Sequence, residues 1–276
     1  MTTNASSANR SFICATCGMQ YAQSAESPSE CAICTDPRQF VAANGQRWTT
    51  LEQLREKHTN VFIPEEPGVH SIHTNPTFAI GERALLIQSK GGNVLWDCVS
   101  LIDQATVATI DRLGGVHAIA ISHPHYYTTM AEWSLAFKNA PIYVHEGDKS
   151  WVQRPDANIK FWSGASLYLH DGLTLIHTPG HFDGFQVLHW PAGSGGRGVL
   201  FAGDQPQVCM DPNWLSFMYS YPNFVPLGAR AVQNICRNLE TFQFDRIYGA
   251  FPGRTVWSEA KQKLALSADR YLKALA

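Results

Sequence analysis

The sequence predicts an α/β protein in which two packed sheets carry helices on their outer faces, with a small metal-held segment at the N-terminus. Three observations support this. Apolar runs of strand length come in two groups, each interleaved with helical patterns, which suits two sheets packed face to face. Two Cys-x-x-Cys turns lie close together near the N-terminus. The 276 residues are 45% hydrophobic and 16% charged, enough for one large core plus a small appendage rather than a disordered chain.

The elements follow in order. Met1–Arg10 is rich in Thr, Asn, Ser and Ala and has no apolar core of the secretory kind, so 1–10 reads as a frayed tail. Residues 11–48 hold the cysteine pairs. Residues 49–68 read as a linker with one short helix, capped by Thr49 or Thr50 with Glu52 or Gln53 in the first turn, and closed by Pro64-Glu-Glu-Pro-Gly68. The main domain spans 69–276. Its first group has an alternating strand from Val69, then Ala84–Gln88 and Asn93–Asp97 flanking the turn Lys90-Gly-Gly92. An amphipathic helix over Ser100–Leu113 ends at Gly114-Gly115. A buried strand, Val116–Ser122, runs into His123; a helix over Thr129–Phe137 and a strand Ile142–His145 follow. The second group pairs Leu167–Leu169 with Leu173–His177 across His170-Asp-Gly172, then adds strands Phe185–Trp190 and Val199–Ala202, a helix Ala229–Leu239, a strand Arg246–Tyr248 and a helix Ser258–Leu275.

Composition excludes several partners. The formal net charge is -2 and no Lys/Arg block occurs, so neither a nucleic-acid backbone nor an anionic membrane is expected. Runs such as Ala84–Ile87 and Ala118–Ile121 are too short to span a bilayer. Seven cysteines, an odd number without a signal peptide, indicate a reducing, cytoplasmic compartment, where paired cysteines usually hold metal. Cys98, Cys209 and Cys236 read as small core residues. The expected partner is a small-molecule substrate, with a homo-oligomer left open.

Two constellations carry the chemistry. Cys14-Ala-Thr-Cys17-Gly18 and Cys31-Ala-Ile-Cys34 each present two thiolates to one ion, and together they complete a tetrahedral sulfur cage. The pattern resembles zinc ribbons and rubredoxin. Zinc is the expected occupant and iron stays possible; the site is closed, so its work is structural or docking. The second constellation is His123-Pro-His125, then Thr178-Pro-Gly-His181, then Gly203-Asp204, each at the mouth of a strand. Three imidazoles and a carboxylate suit a catalytic zinc. His117, His145, His170, His177 and His189 read instead as packing or hydrogen-bonding residues.

The order His-x-His, Thr-Pro-Gly-His, Gly-Asp is similar to that of the metallo-β-lactamase superfamily, over about Val69 to the C-terminus. The resemblance implies a four-layer αββα sandwich with metals at one edge of the sheets. It also implies His123, His125 and His181 as ligands of the first metal and Asp204 as the usual bridging carboxylate. The chain departs from the superfamily motif His-x-His-x-Asp-His: Tyr127 stands where the Asp belongs and Thr128 where the His belongs, and Tyr248–Gly253 lacks a final His. The second metal's ligands are missing together, so one zinc is expected in the His site and one in the Cys ribbon. The implied activity is a mononuclear zinc hydrolase acting on an ester, thioester or lactone. Asp204 would complete the coordination or orient the water; Tyr127, by its place in the sequence and not by the resemblance, would donate to the developing oxyanion. The aromatic stretch Gln205–Leu227, with Trp214, Phe217, Met218, Tyr219, Tyr221 and Phe224, is either an apolar substrate wall, or a cap on the core or a dimer contact. The alternatives are non-hydrolytic: a rubredoxin-like redox module, or a binding protein whose degenerate site only holds structure.

Overall fold

The computed structural model describes residues 9–276. Most of the expected tail therefore lies outside the described residues; of its last two, Arg10 exchanges backbone hydrogen bonds with Ser24.

The first large sheet has seven strands in sequence order: β1 (Thr59–Glu66), β2 (Val69–Asn75), β3 (Arg83–Ile87), β4 (Val94–Trp96), β5 (Ala118–Ala120), β6 (Ile142–His145) and β7 (Ile159–Trp162). It is antiparallel from β1 to β4 and parallel from β4 to β7. The second has six: β8 (Ser166–Tyr168), β9 (Thr174–His177), β10 (Gln186–Trp190), β11 (Val199–Gly203), β12 (Arg246–Gly249) and β13 (Thr255–Val256). Only its β11–β12 pair is parallel. Three of these strands, β1, β7 and β13, were not expected. β1 lies within the stretch read as linker and forms a hairpin with β2 around Pro67-Gly68. Pro64 sits within β1, which is tolerated because β1 is the sheet's edge strand.

Strand alternation sorts the side chains into layers. Leu85, Ile87, Val94, Trp96, Ala118 and Ala120 face Leu175, Leu188, Val199, Phe201 and Tyr248 between the sheets. Their neighbours Ala84, Leu86, Leu95 and Ile119 point the other way, into a cluster with helices α1 (Leu51–Lys57), α2 (Gln104–Arg112) and α3 (Met130–Ala136). On the second sheet Ile176, Val187, Leu200 and Ile247 face α4 (Ala229–Leu239) and α5 (Ala260–Leu275). Four layers result, as expected.

The cysteine segment is no free appendage. Ile13, Cys14, Cys17, Met19, Cys31, Ile33 and Cys34 are all buried in the same cluster as Ile72, Leu86 and Ile119. Gly18 faces Ser100, with its backbone at φ +82°, and a Cβ there would collide with the Ser100 hydroxyl.

Candidate metal centre

The loops that follow β4, β5, β9, β11 and β12 meet at one edge of the two sheets. His123 and His125 leave β5, with a short 3-10 turn over Pro124–Tyr126. His181 follows β9, and Asp204 follows β11 directly. Gly203 lets β11 close on β5: its φ is +57°, and a Cβ there would sit 3.0 Å from the Ser122 hydroxyl.

The three imidazoles form a near-equilateral group, with ring centroids 4.9 to 5.1 Å apart. The Asp204 Oδ2 lies 3.6 Å from His123 Nε2 and 3.7 Å from His181 Nε2. His181 Nε2 and His125 Nδ1 face each other at 3.4 Å. All four residues are buried, and one ligand atom from each lies within 4.8 Å of the others. His123 Nε2 and Asp204 Oδ1 have no hydrogen-bond partner. Buried polar atoms are normally paired, so a group of unsatisfied donor atoms aimed at one point fits a shared cation. Burial, reinforced by the neighbouring imidazoles, lowers the His123 and His125 pKa well below the ordinary histidine value, which favours the neutral rings a metal requires. Burial raises the Asp204 pKa.

Outer contacts set each ring. His123 Nδ1 is 2.9 Å from Ser122 Oγ, and that hydroxyl donates to Asp97 Oδ2 at 3.0 Å. Asp97 Oδ1 also accepts from the Ser122 backbone N–H at 2.7 Å. His181 Nδ1 lies 3.1 Å from the Met218 carbonyl, which can only accept, so the proton belongs on Nδ1 and Nε2 is left as the ligand. The His181 backbone N–H donates to Gln205 Oε1 at 2.6 Å, and Gln205 in turn donates to the Thr178 carbonyl at 2.5 Å. Tyr221 donates to the Asp204 backbone carbonyl. Asp97 and Ser122 were given no role from the sequence, and Gln205 and Met218 were read only as part of the aromatic stretch. Only Asp97, closing a strand, offered a signal there.

The structure does not bring Tyr127 to this group. Its buried hydroxyl donates to the Asp148 carbonyl at 3.1 Å, and burial raises its pKa further. The expected oxyanion donor is thereby corrected: its proton is already used elsewhere. Thr128 donates to the Cys98 carbonyl at 3.2 Å. Neither residue replaces a second-metal ligand. The aromatic stretch divides its work. Tyr221 and Pro222 line the cavity over the histidines, Phe217 is core against Tyr271, Trp214 lies 3.6 Å under the Arg270 guanidinium, and Phe224 is exposed.

The cavity has a volume of about 130 Å³ and is floored by His125, His181 and Asp204. Ile80, Tyr221, Pro222 and Phe251 give it apolar walls, while Glu82, Gln207, Arg38 and Gln39 add polar groups. Arg38 and Gln39 come from the cysteine segment, which the sequence placed in a separate unit.

The four cysteines converge as expected. Cys14 and Cys34 sulfurs are 3.5 Å apart, as are those of Cys17 and Cys31. A disulfide requires about 2 Å, whereas four sulfurs at about 2.3 Å around one ion stand a little under 4 Å apart. The set fits one tetrahedral ion. Gln46 Nε2 donates to Cys14 Sγ at 3.0 Å, as to a thiolate.

No family model matches the sequence. Its fold is similar to solved metallo-β-lactamases. DIM-1 superposes with a TM-score of 0.57 at 15% identity, covering 79% of this chain and 98% of that one. SMB-1 gives 0.52 at 17%, covering 75% and 92%, and a metallo-β-lactamase of Cronobacter sakazakii gives 0.53 at 15%, covering 81% and 96%. At such identities the likeness shows the fold alone. In sequence the chain is 51% identical over 266 residues to the uncharacterized protein YmaE of Bacillus subtilis (strain 168), covering 96% of each. The chain, which has the metallo-β-lactamase fold and a four-cysteine cluster near its N-terminus, therefore belongs to the family of YmaE.

Proposed function

We propose that this protein is a metal-dependent hydrolase that uses one zinc ion, held by His123, His125, His181 and Asp204, to cleave an ester, thioester or lactone of a small, partly apolar substrate. The observation that carries the reading is the convergence of three buried imidazoles and one carboxylate, with unpaired ligand atoms, at the floor of a cavity. When bound, a divalent ion at such a site supplies Lewis acidity and a water activated near neutral pH.

The chain's own residues do the rest. Asp97 and Ser122 hold the His123 ring, and the Met218 carbonyl holds that of His181, so neither has to reorient during turnover. Asp204 faces His123 and His181 with Oδ2 and has no other partner at Oδ1, so one oxygen can take the ion while the other orients a water and takes its proton. Ile80, Pro222, Tyr221 and Phe251 exclude bulk water and take an apolar acyl portion. The guanidinium of Arg38 is already paired with Asp36, which leaves it little call on a substrate anion.

Elemental analysis together with a panel of short esters, thioesters and lactones tests the reading. Zinc with turnover of one acyl class, lost in His181→Ala, supports it. Iron in the cysteine cage with no turnover of any ester would favour a redox module, and a vacant histidine group would favour a binding protein.

A further inference from the structure

The two halves of the cysteine cage each hold one of the loops that carry the histidines. The first knuckle, Cys14–Cys17, continues through Gly18 and Met19 to Gln20. The Gly18 carbonyl accepts from Ser100 Oγ at 3.2 Å, and the Gln20 N–H donates to the Thr128 carbonyl at 3.1 Å, three residues beyond His125. The second knuckle, Cys31–Cys34, is closed by Thr35 N–H donating to the Cys31 carbonyl at 3.0 Å and Asp36 N–H to the Ile33 carbonyl at 3.3 Å. Asp36 then fixes Arg38 in a two-pronged pair, at 2.6 Å through Nε and 2.9 Å through Nη2.

Arg38 is thus placed over the histidine loop. Its Nη1 donates to the His181 carbonyl at 3.2 Å. Its guanidinium carbon lies 3.9 Å from the centroid of Phe182. That ring in turn sits 5.0 Å from His125, 5.1 Å from His181 and 5.5 Å from His123. The strand segment behind it is pinned as well: Ser220 Oγ donates to the Arg38 carbonyl at 3.0 Å, and Asn223 Nδ2 to the carbonyls of Pro37 and Gln39 at 2.9 and 3.1 Å. Met218, whose carbonyl sets the His181 ring, lies two residues before Ser220.

We propose that the four-cysteine cage is a positioning device for the histidine centre, and that Arg38 is the positioning residue through which it acts. The cage orders the turn that carries Asp36. Asp36 aims Arg38, and Arg38 holds the His181 backbone and presses Phe182 against the three imidazoles. An ion in the cage therefore raises the affinity of the histidine group for its own ion, and by linkage the reverse also holds. The inference rests on the reading that the histidine group binds a metal.

The test is a Co²⁺ titration of the full metal-free chain. Thiolate-bound cobalt gives a strong near-ultraviolet charge-transfer band and intense bands at long visible wavelength, whereas cobalt on nitrogen and oxygen ligands gives weaker bands at shorter visible wavelength, so the two sites are read separately. In Arg38→Ala the cage should fill as in the parent, while the affinity of the histidine group falls about 10- to 100-fold, the usual cost of losing an outer contact to a ligand. The shorter-wavelength visible bands of the histidine group should also shift, because the His181 ring is released. Arg38→Lys keeps a donor for the His181 carbonyl without the planar stack and should recover part of the loss. Cys34→Ser should weaken the histidine group in the same direction. If the parent protein shows no shorter-wavelength visible bands beyond those of the thiolate site, the metal-centre reading itself fails. If the parent shows them and Arg38→Ala matches its histidine-group affinity and bands, only the positioning role falls. Loss of both sites in Arg38→Ala together with the far-ultraviolet circular dichroism would make Arg38 a packing residue and likewise overturn the proposal.

Discussion

Single residues decide whether the histidine group can hold an ion. Ser122 joins the Asp97 carboxylate to the His123 ring through one hydroxyl. Ser122→Ala should lower metal affinity at the histidine group about 10- to 100-fold while leaving the cage filled, as competition with a chromophoric chelator would report. Asp148 offers a pH-dependent test. Its carboxyl is pushed up to about 7, first by burial and then by Asp183, against the opposing Gly184 N–H and Arg38. Its Oδ2 has no partner. Between about pH 4 and pH 7 the folded state keeps a proton that the unfolded chain, with an ordinary carboxyl, releases. More protons bound in the folded state means that stability falls as pH rises through this window, and the full penalty is present above it. Asp148→Asn keeps an acceptor for Gly184 and removes the charge. Urea unfolding at fixed metal content should find the variant more stable than the parent by about 1–4 kcal/mol at pH 8 and nearly equal at pH 4.

At the scale of elements, the stretch 205–227 behaves as three pieces rather than one lid. Trp214 packs beneath Arg270 of α5, away from the cavity, whereas Tyr221 and Pro222 form the cavity wall. Trp214→Ala should therefore leave KM unchanged across short and longer acyl substrates, and lower the melting temperature slightly. A selective rise in KM for the longer substrates would put Trp214 in the substrate path. Phe217 is fully buried against Tyr271, and Phe217→Ala should cost about 3–5 kcal/mol in chemical denaturation. Aromatic density was legible in the sequence; which rings face the cavity was not, because short two- and three-residue strands redirect the chain here.

For the whole molecule the number of metals is the sharpest test. Two clusters of ligating residues exist among the described residues, one of sulfur and one of imidazole and carboxylate. Protein purified without chelator should hold two ions per chain by elemental analysis, and His181→Ala should hold one. Cys14→Ser should not merely loosen residues 11–48. The cage shares its core with β2, β3, β4 and β5, so hydrogen exchange should rise in those strands as well.

Much of this was written locally. The strand alternation at Ala84–Ile87, the turns after them, the two Cys-x-x-Cys pairs and the order of His123, His125, His181 and Asp204 depend on spacing along the chain, and spacing survives in a sequence. The sequence therefore determined the sandwich and which residues gather into the two candidate ligand groups. It did not determine that β1 belongs to the first sheet, because a Pro-containing stretch reads as punctuation until a partner strand is known to lie on only one side. Nor did it determine that Tyr127 spends its proton on the Asp148 carbonyl, or that Arg38 lies over Phe182, 144 positions further along. Those contacts join residues far apart in the chain, and the direction of a hydroxyl or a guanidinium is set by whichever acceptor the packed layers bring within reach. Only the tertiary structure decided that the cysteine segment is one wall of the histidine cavity.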